Sequence, residues 1–304
     1  MKTKKLLTYC LLALLFTFGV ACTSGSDSKE TENDELETID PADLEGNDFL
    51  ITITTSYGEM KAVLHDKTPQ HKENFLKLAR EGYFDSLMFH RVMERFMIQG
   101  GDPNSRNAAP GDRLGFGGPG FQVPNEVREE YFHKKGAIAG AQNGNPEKAS
   151  NGSQFYIVHG QVYSEDLAGF NQVKLSQAMG IMQRDFPNDP ILTELTKIFQ
   201  DEGQLKYFAR VAELNEEITE KTGIEFMFSE SRKKAYSTIG GASHLDGDYT
   251  VFGQVIGGLD VLDQIAGVQV GSENRPVEDV RMFITIEEMP KAEIARTFNY
   301  TYFK

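Results

Sequence analysis

The chain of 304 residues has two cysteines, no tryptophan and fewer basic than acidic side chains. Both cysteines, Cys10 and Cys22, stand near the N-terminus, so the rest of the chain has no residue for a disulfide, a thiolate metal site or a cysteine nucleophile. The formal net charge of −14 argues against binding to nucleic acid, which needs clustered lysine and arginine. A hydrophobic fraction of 39% provides a core of ordinary size.

The histidines and glycines lack the spacing of common cofactor sites. None of the six histidines forms an i, i+4 pair, so no metal site is predicted. Gly115–Gly120 matches the dinucleotide pattern G-x-G-x-x-G, but Pro119 and Pro124 exclude the helix whose N-terminus would hold a phosphate. We therefore expect no cofactor and no nucleotide, and we interpret this stretch as a loop with tight turns.

Residues 1–22 have the features of a processed leader. Lysines precede the apolar run Leu6–Val20, which is too short to cross a bilayer as a helix. Small residues then precede Cys22, a pattern that resembles a lipobox, although Gly19 stands where leucine is usual. The alternative is an ordinary secretory leader with an incidental cysteine.

A lipid on Cys22 would make the protein a membrane-anchored lipoprotein of the cell envelope, facing the periplasm or the cell surface. Residues 23–47 are rich in Ser, Asp, Glu, Thr and Asn and have little apolar surface to bury. They are predicted to form a disordered tether.

The remaining chain has the short alternating segments of a β-protein, with one helical interruption. Alternation on both sides of Tyr57-Gly58 predicts a β-hairpin. Thr68-Pro69 predicts the N-cap and first residue of a helix that ends at Gly82. Later short strands and a second helix near Leu259 favour a closed antiparallel barrel. Residues 161–242 instead have apolar residues at helical spacing, which predicts a helical insertion.

Two segments combine polar and large apolar residues in an unusual way. Phe89–Asp102 contains Arg91 and Gln99 among aromatic and aliphatic residues, and Asn151–Ile157 contains Gln154. Each residue alone could be an ordinary core or surface residue. Together they predict a pocket with an apolar floor and a few convergent donors, because polar groups without partners are costly among buried aromatics.

These segments resemble the cyclophilins. Phe89–Gly101 is similar to their F-H-R…F-M-x-Q-G-G, and Asn151–Ile157 to their N-G-S-Q-F-[FY]-I. Leu245–Gly253 is similar to their L-D-G…V-F-G, and Glu73-Asn74-Phe75 to the E-N-F of their first helix. The resemblance covers residues 49–160 and 243–289. It implies a mainly β fold, a closed eight-stranded antiparallel barrel capped by two helices, here with a helical insertion.

The expected organisation has six parts. They are a leader with the lipidated cysteine (1–22), a tether (23–47), the first part of the barrel (48–160), the insertion (161–242), the second part of the barrel (243–290) and a C-terminal tail (291–304).

The resemblance implies a peptidyl-prolyl cis/trans isomerase whose partners are proline-containing polypeptides. Arg91 matches the catalytic arginine, and Gln99 and Gln154 match polar groups that hold the arginine and the substrate backbone. The walls of the proline pocket are matched by Phe96, Met97, Tyr156 and Leu245. Ala141 and Gln142 match the groove for residues before the proline, with Gln142 where asparagine is usual. His244 takes the place of a tryptophan in many members, and Tyr249 that of a histidine or tyrosine.

Two other classes of function compete with this interpretation. A cyclophilin-like barrel without useful catalysis would be a peptide-binding or chaperone module, and a structural envelope protein would have no pocket. The insertion leaves the barrel just after the strand that carries Tyr156 and returns just before His244, so both its ends are expected near the pocket. We therefore hypothesise that it extends the groove and selects clients, the alternative being a packed appendage.

Overall fold

The computed structural model describes residues 38–303. The leader, the predicted lipidation site Cys22 and the first part of the predicted tether lie outside the described residues. Eleven strands occur in the described part of the chain. In chain order, β1–β11 are Asn47–Thr55, Gly58–Leu64, Leu87–Met88, Arg91–Met93, Met97–Gly100, Gln122–Val123, Ala137–Gly140, Ser150–Asn151, Phe155–Val158, Val251–Gly257 and Arg281–Pro290.

Nine of these strands form one curled antiparallel sheet in the order β3-β11-β1-β2-β10-β7-β9-β5-β4, and β6 pairs with β8. The predicted hairpin is confirmed, since β1 pairs with β2 in a register that places Ile53 opposite Met60. Ile53 and Met60 are fully buried because alternate residues of both strands face the same core.

The prediction of a closed eight-stranded barrel is not confirmed, because the sheet has nine strands and its end strands β3 and β4 do not pair with each other. The two end strands are consecutive pieces of one segment, separated by Phe89 and His90. The first piece pairs with β11 and the second with β5. The segment thus changes partner at Phe89, whose amide donates to the Val280 carbonyl (2.9 Å) before Arg91 pairs with Gln99.

Two helices cover the main core. They are α1 (Pro69–Arg80) and the helix Leu259–Ala266, and their apolar faces pack with the inward residues of the sheet. Thr68 precedes α1 as predicted, but its hydroxyl donates to the His65 carbonyl (3.1 Å) instead of capping the helix. The first turn of α1 is satisfied by the buried Glu126 carboxylate, which accepts from the amides of Gln70 (3.1 Å) and His71 (2.9 Å).

Residues 161–242 contain six helices with a core of their own. In chain order, α2–α7 are Glu165–Ala168, Gln172–Asp185, Pro190–Asp201, Gln204–Glu213, Asn215–Thr222 and Glu230–Thr238. Leu195 and Phe226 are buried in this core, whereas Leu205, from the predicted apolar stripes, is 65% exposed. Gln161 and Gly241 close the base of the insertion by exchanging two backbone hydrogen bonds of 3.0 and 2.9 Å.

The helix Leu259–Ala266 is α8, and α9 (Lys291–Phe298) lies in the segment predicted as a tail. Beyond α9, Phe303 pairs with Thr38, and the Ile39 amide donates to the Tyr302 carbonyl (3.0 Å). Part of the predicted tether therefore lies against the C-terminal residues. Within residues 38–303, no helix combines the length and apolar character needed to cross a membrane.

Candidate active site

Strand register places the two predicted catalytic residues beside the predicted pocket. Arg91 on β4 lies opposite Gln99 on β5, and Gln99 lies opposite Tyr156 on β9. Directly opposed residues of antiparallel strands point to the same face of a sheet. Three side chains from three adjacent strands therefore form one row.

A chain of hydrogen bonds holds Arg91 in place. Its Nη1 donates to Gln99 Oε1 (3.2 Å), and Gln99 Nε2 donates to Gln154 Oε1 (3.0 Å). Gln154 Nε2 in turn donates to the carbonyls of Gly117 (2.7 Å) and Gly115 (3.0 Å). Each amide is oriented by its neighbours, so the guanidinium has a fixed direction.

Arg91 also donates from Nη2 to the sulfur of Met93 (3.1 Å), and its guanidinium carbon lies 6.0 Å from the centre of the Phe96 ring. In the described part of the chain it forms no salt bridge with a carboxylate. Burial lowers the pKa of Arg91 from its usual value, but arginine stays charged in proteins. A half-buried cation without a neutralising carboxylate remains available to a ligand.

The glycine-rich loop Gly115–Gly120 accepts the last hydrogen bonds of this chain, from Gln154. The amides of Gly115 (2.5 Å) and Gly117 (3.3 Å) donate to the fully buried carboxylate of Asp102. A Cβ atom at Gly117 would lie 2.1 Å from Asp102 Oδ1, so only glycine fits there. The loop is therefore wrapped around an internal carboxylate, and its carbonyls orient Gln154.

Apolar residues form a cluster next to Arg91 and Gln99. The buried members that were predicted to line the pocket are Met97, Ala141, Tyr156 and Leu245, and Phe96 and Tyr249 pack against them half-buried. His244 is exposed, and its ring centre lies 5.2 Å from that of Phe96. Both backbone groups of Ala141 are used, since its amide donates to the Gln154 carbonyl (2.9 Å) and its carbonyl accepts from Asn151 (2.7 Å).

A trough of about 690 Å³ lies on the other side of Arg91 and Gln99, and none of the cluster residues lines it. Arg91, Gln99 and Gln142 line it together with the loops 110–116 and 271–277. Gln142 is fixed by a bond from Nε2 to the Asp248 carbonyl (2.7 Å). The structure thus gathers all eleven predicted site residues around the cluster and the trough.

A buried polar chain behind the cluster was not predicted from the sequence. The Tyr156 hydroxyl lies 2.9 Å from His133 Nε2, and His133 Nδ1 lies 2.8 Å from Asp246 Oδ1. The other carboxylate oxygen of Asp246 accepts from the Tyr236 hydroxyl (2.6 Å). The only sequence signal is Asp246, in the L-D-G motif; His133 has no motif of its own, and Tyr236 lies in the insertion.

The protonation of this chain follows from its acceptors. A carboxylate accepts only, so His133 Nδ1 carries a proton, and in the neutral ring Nε2 accepts from Tyr156. Burial raises the pKa of Tyr156 well above its usual value, with Tyr249 and Asp246 adding to the rise. The hydroxyl therefore stays a donor. Within residues 38–303, no three His, Cys, Asp or Glu side chains converge as metal ligands would.

Comparison with known proteins identifies the family of the chain. The family model for cyclophilin type peptidyl-prolyl cis-trans isomerase/CLD matches residues 50–184 and 185–286, so the match runs into the helical segment. A putative bifunctional phosphatase/peptidyl-prolyl cis-trans isomerase of Streptococcus pyogenes is 32% identical over 236 residues, which are 76% of this chain and 37% of that protein. A putative peptidyl-prolyl cis-trans isomerase of Staphylococcus saprophyticus is 30% identical over 242 residues, which are 78% of this chain and 91% of that protein.

Among solved structures, a cyclophilin type isomerase of Cryptosporidium parvum covers 81% of this chain and all of its own, with 19% identity and a TM-score of 0.46. A structure of that protein in the presence of the dipeptide Ala-Pro has a TM-score of 0.44. The chain spans about a third of the streptococcal relative but nine-tenths of the staphylococcal one. With a family match over most of its length, the chain belongs to the cyclophilin-type peptidyl-prolyl cis-trans isomerases.

Proposed function

We propose that this protein isomerises X–Pro bonds in polypeptides of the cell envelope, with Arg91 stabilising the twisted amide. The observation that carries the proposal is the oriented Arg91 guanidinium beside the apolar cluster of Met97, Tyr156 and Leu245. An apolar cluster of this kind can hold a proline ring while the residues before it rotate.

The mechanism follows from amide resonance. The partial double bond of the peptide C–N gives a rotation barrier of ~18–20 kcal/mol. Twisting the bond localises the lone pair on the proline nitrogen and removes the planar resonance. A fixed guanidinium aimed at that nitrogen, or at the preceding carbonyl oxygen, stabilises the twisted state more than the planar one. The bonds through Gln99 and Gln154 prepare this direction before substrate binds.

Substitution of Arg91 tests the proposal. We expect Arg91→Ala to keep the fold and to lower kcat/KM for a short X–Pro peptide by at least about tenfold, because only the twisted state loses its charge partner. Arg184→Ala is the control, since Arg184 is an exposed residue of the insertion paired with Asp185. A folded Arg91→Ala variant with unchanged turnover would contradict the mechanism. A wild-type protein that binds the peptide without accelerating exchange would be a peptide-binding or chaperone module instead.

We also propose that a lipid on Cys22 anchors the protein to a membrane, where its clients are other envelope proteins. The support is the sequence of residues 1–22, with its basic start, apolar run and small residues before the cysteine. Cys22→Ser should move the protein from the membrane to the soluble cell fraction, as measured by fractionation and immunoblot. A wild-type protein already in the soluble fraction would refute the anchor and leave the isomerase proposal intact.

A further inference from the structure

The carboxylate of Asp246 is shared between two parts of the chain. Asp246 is 4% exposed and directly follows Leu245, a wall of the proposed proline pocket. Its Oδ1 accepts from the amide (2.9 Å) and the ring of His133, whereas its Oδ2 accepts from Tyr236 on α7 of the insertion. Each oxygen therefore ties residue 246 to a different element.

From Oδ1 of Asp246, the hydrogen bonds lead through His133 to Tyr156, which belongs to the apolar cluster. His133 stacks on Tyr156 with ring centres 6.0 Å apart, and its Nε2 is bonded to the Tyr156 hydroxyl. Tyr156 and Leu245 both belong to the cluster that contains Met97. A shift of Asp246 would consequently move Leu245 through the backbone and release Tyr156 through His133.

On the side of Oδ2, Tyr236 is held firmly within the insertion and against the neighbouring loop. It is fully buried, and its ring lies 5.4–5.9 Å from the rings of Phe132, Tyr163 and Phe228. The insertion also bonds the backbone of this region, since Asn171 Nδ2 donates to the Asp246 carbonyl at 3.4 Å. Tyr236 is thus a rigid donor whose target is the carboxylate behind the pocket.

We propose that Tyr236 is a positioning residue for the proline pocket, acting through Asp246 on Leu245 and, by way of His133, on Tyr156. The inference deepens the proposed function and rests on it, because the cluster must be the surface that receives proline. The inference gives the insertion a defined role, because a side chain from outside the two barrel segments holds the wall of the pocket in place. Deletion of residues 161–242 would then weaken binding of even a short peptide, in contrast to a role limited to client selection.

Because Arg91 and the pocket wall are held separately, the inference predicts an effect on KM without an effect on kcat. Arg91 is oriented through Gln99 and Gln154, and within residues 38–303 no side-chain hydrogen bond joins these three residues to Tyr236, Asp246 or His133. Loosening the pocket wall weakens ground and transition states alike, which raises KM and leaves kcat unchanged.

The test is Tyr236→Phe in the full chain, with Tyr163→Phe as its control. Tyr163 packs against Tyr236, and its hydroxyl has no hydrogen bond within residues 38–303. We expect Tyr236→Phe to raise KM for a short Ala-Pro peptide about three- to tenfold, the worth of one hydrogen bond, with kcat within about twofold of wild type. Tyr163→Phe should change neither. An unchanged KM in a folded Tyr236→Phe variant, or an equal rise in Tyr163→Phe, would overturn the inference.

A binding measurement separates this inference from the proposed function. In Tyr236→Phe, the dissociation constant of the same peptide, measured by NMR titration, should rise about three- to tenfold, whether or not the wild type accelerates exchange. A double variant tests whether Tyr236 acts through Tyr156. If it does, Tyr156→Phe combined with Tyr236→Phe should raise the dissociation constant by less than the product of the two single effects. Multiplicative effects, or a wild type that does not bind the peptide, would overturn the inference.

Discussion

Two buried histidines of this protein have similar partners and different positions. His71 is bonded through Nδ1 to Glu126 (2.7 Å) and through Nε2 to the Ser150 hydroxyl (2.9 Å). His133 is bonded in the same way to Asp246 and to the Tyr156 hydroxyl. In each set, the carboxylate fixes the tautomer and the second nitrogen accepts from a hydroxyl.

The first set has the order of a Ser-His-acid triad, but it is closed to substrate. Ser150 is 2% exposed, and a Cβ atom at Gly140 would lie 2.4 Å from its hydroxyl oxygen. Its carboxylate accepts from the first turn of α1, so the set joins that helix to the β-structure. The second set joins the pocket to the insertion. Two sets with the same chemistry therefore differ in the elements that they connect, and this location determines what each set can stabilise.

Breaking the first set should produce the largest change in stability. We expect His71→Ala to lower the free energy of unfolding by about 3 kcal/mol, because a buried carboxylate loses its partner and Ser150 loses its acceptor. Urea denaturation followed by circular dichroism measures this loss. The KM of the folded variant should stay within about twofold of wild type, since no pocket residue is bonded to the set. A clear rise in KM would contradict the separation of the two sets.

A third buried histidine, His90, has no carboxylate bonded to its ring within residues 38–303. Neither of its ring nitrogens has a hydrogen-bond partner in the described residues. Burial lowers the pKa of His90 to about 4; Asp102 and the Met88 carbonyl oppose this drop only in part, while Arg91 and Arg275 add to it. Between pH 6.5 and about pH 4, His90 is therefore protonated in the unfolded chain and neutral in the native protein.

Acidification should accordingly destabilise the protein. From neutral pH to pH 5, His90 contributes a loss of about 2 kcal/mol in the free energy of unfolding. The lowered pKa of His71, caused by burial and opposed by Glu126, acts in the same direction. His90→Gln should remove about that much of the pH dependence, measured by urea denaturation at both pH values. An equal slope in the variant and the wild type would show that His90 does not titrate on unfolding.

The smallest effect is expected at Arg232, the second neighbour of Asp246 in the insertion. Its Nη1 lies 3.8 Å from Asp246 Oδ2, and its guanidinium packs on the rings of Phe132 and Phe228. Arg232→Gln should change KM for the peptide by less than about twofold, because the 2.6 Å bond from Tyr236 persists. A larger rise than in Tyr236→Phe would show that charge, rather than the hydroxyl, positions the carboxylate.

Several features of the fold could be predicted because they depend on neighbours in the sequence. Alternation around Tyr57-Gly58 indicated the first hairpin, and the structure contains it. Pro69 indicated the start of α1, yet the group that satisfies its first turn is Glu126, far along the chain. Closure of an eight-stranded barrel is not confirmed, and a hydrophobic pattern does not show that one segment changes partner at Phe89.

In the candidate site, too, some features could be predicted from the sequence and others could not. Arg91, Gln99, Gln154 and Tyr156 stand in short motifs, so their residue types alone indicated a pocket with donors. Which residues can supply charge, amide groups and apolar surface follows from the sequence alone, since these are properties of single side chains and of strand periodicity.

Which of these groups contact each other depends on how separate elements pack in the folded protein. Gln154 is oriented by the carbonyls of Gly115 and Gly117, and Asp246 divides its oxygens between His133 and Tyr236. These pairs join residues from separate elements. Periodicity shows which face of an element is buried, but it does not show which other element packs against that face. A buried polar group must nevertheless find a partner. The partner of Asp246 comes from the insertion, where no sequence motif indicated it.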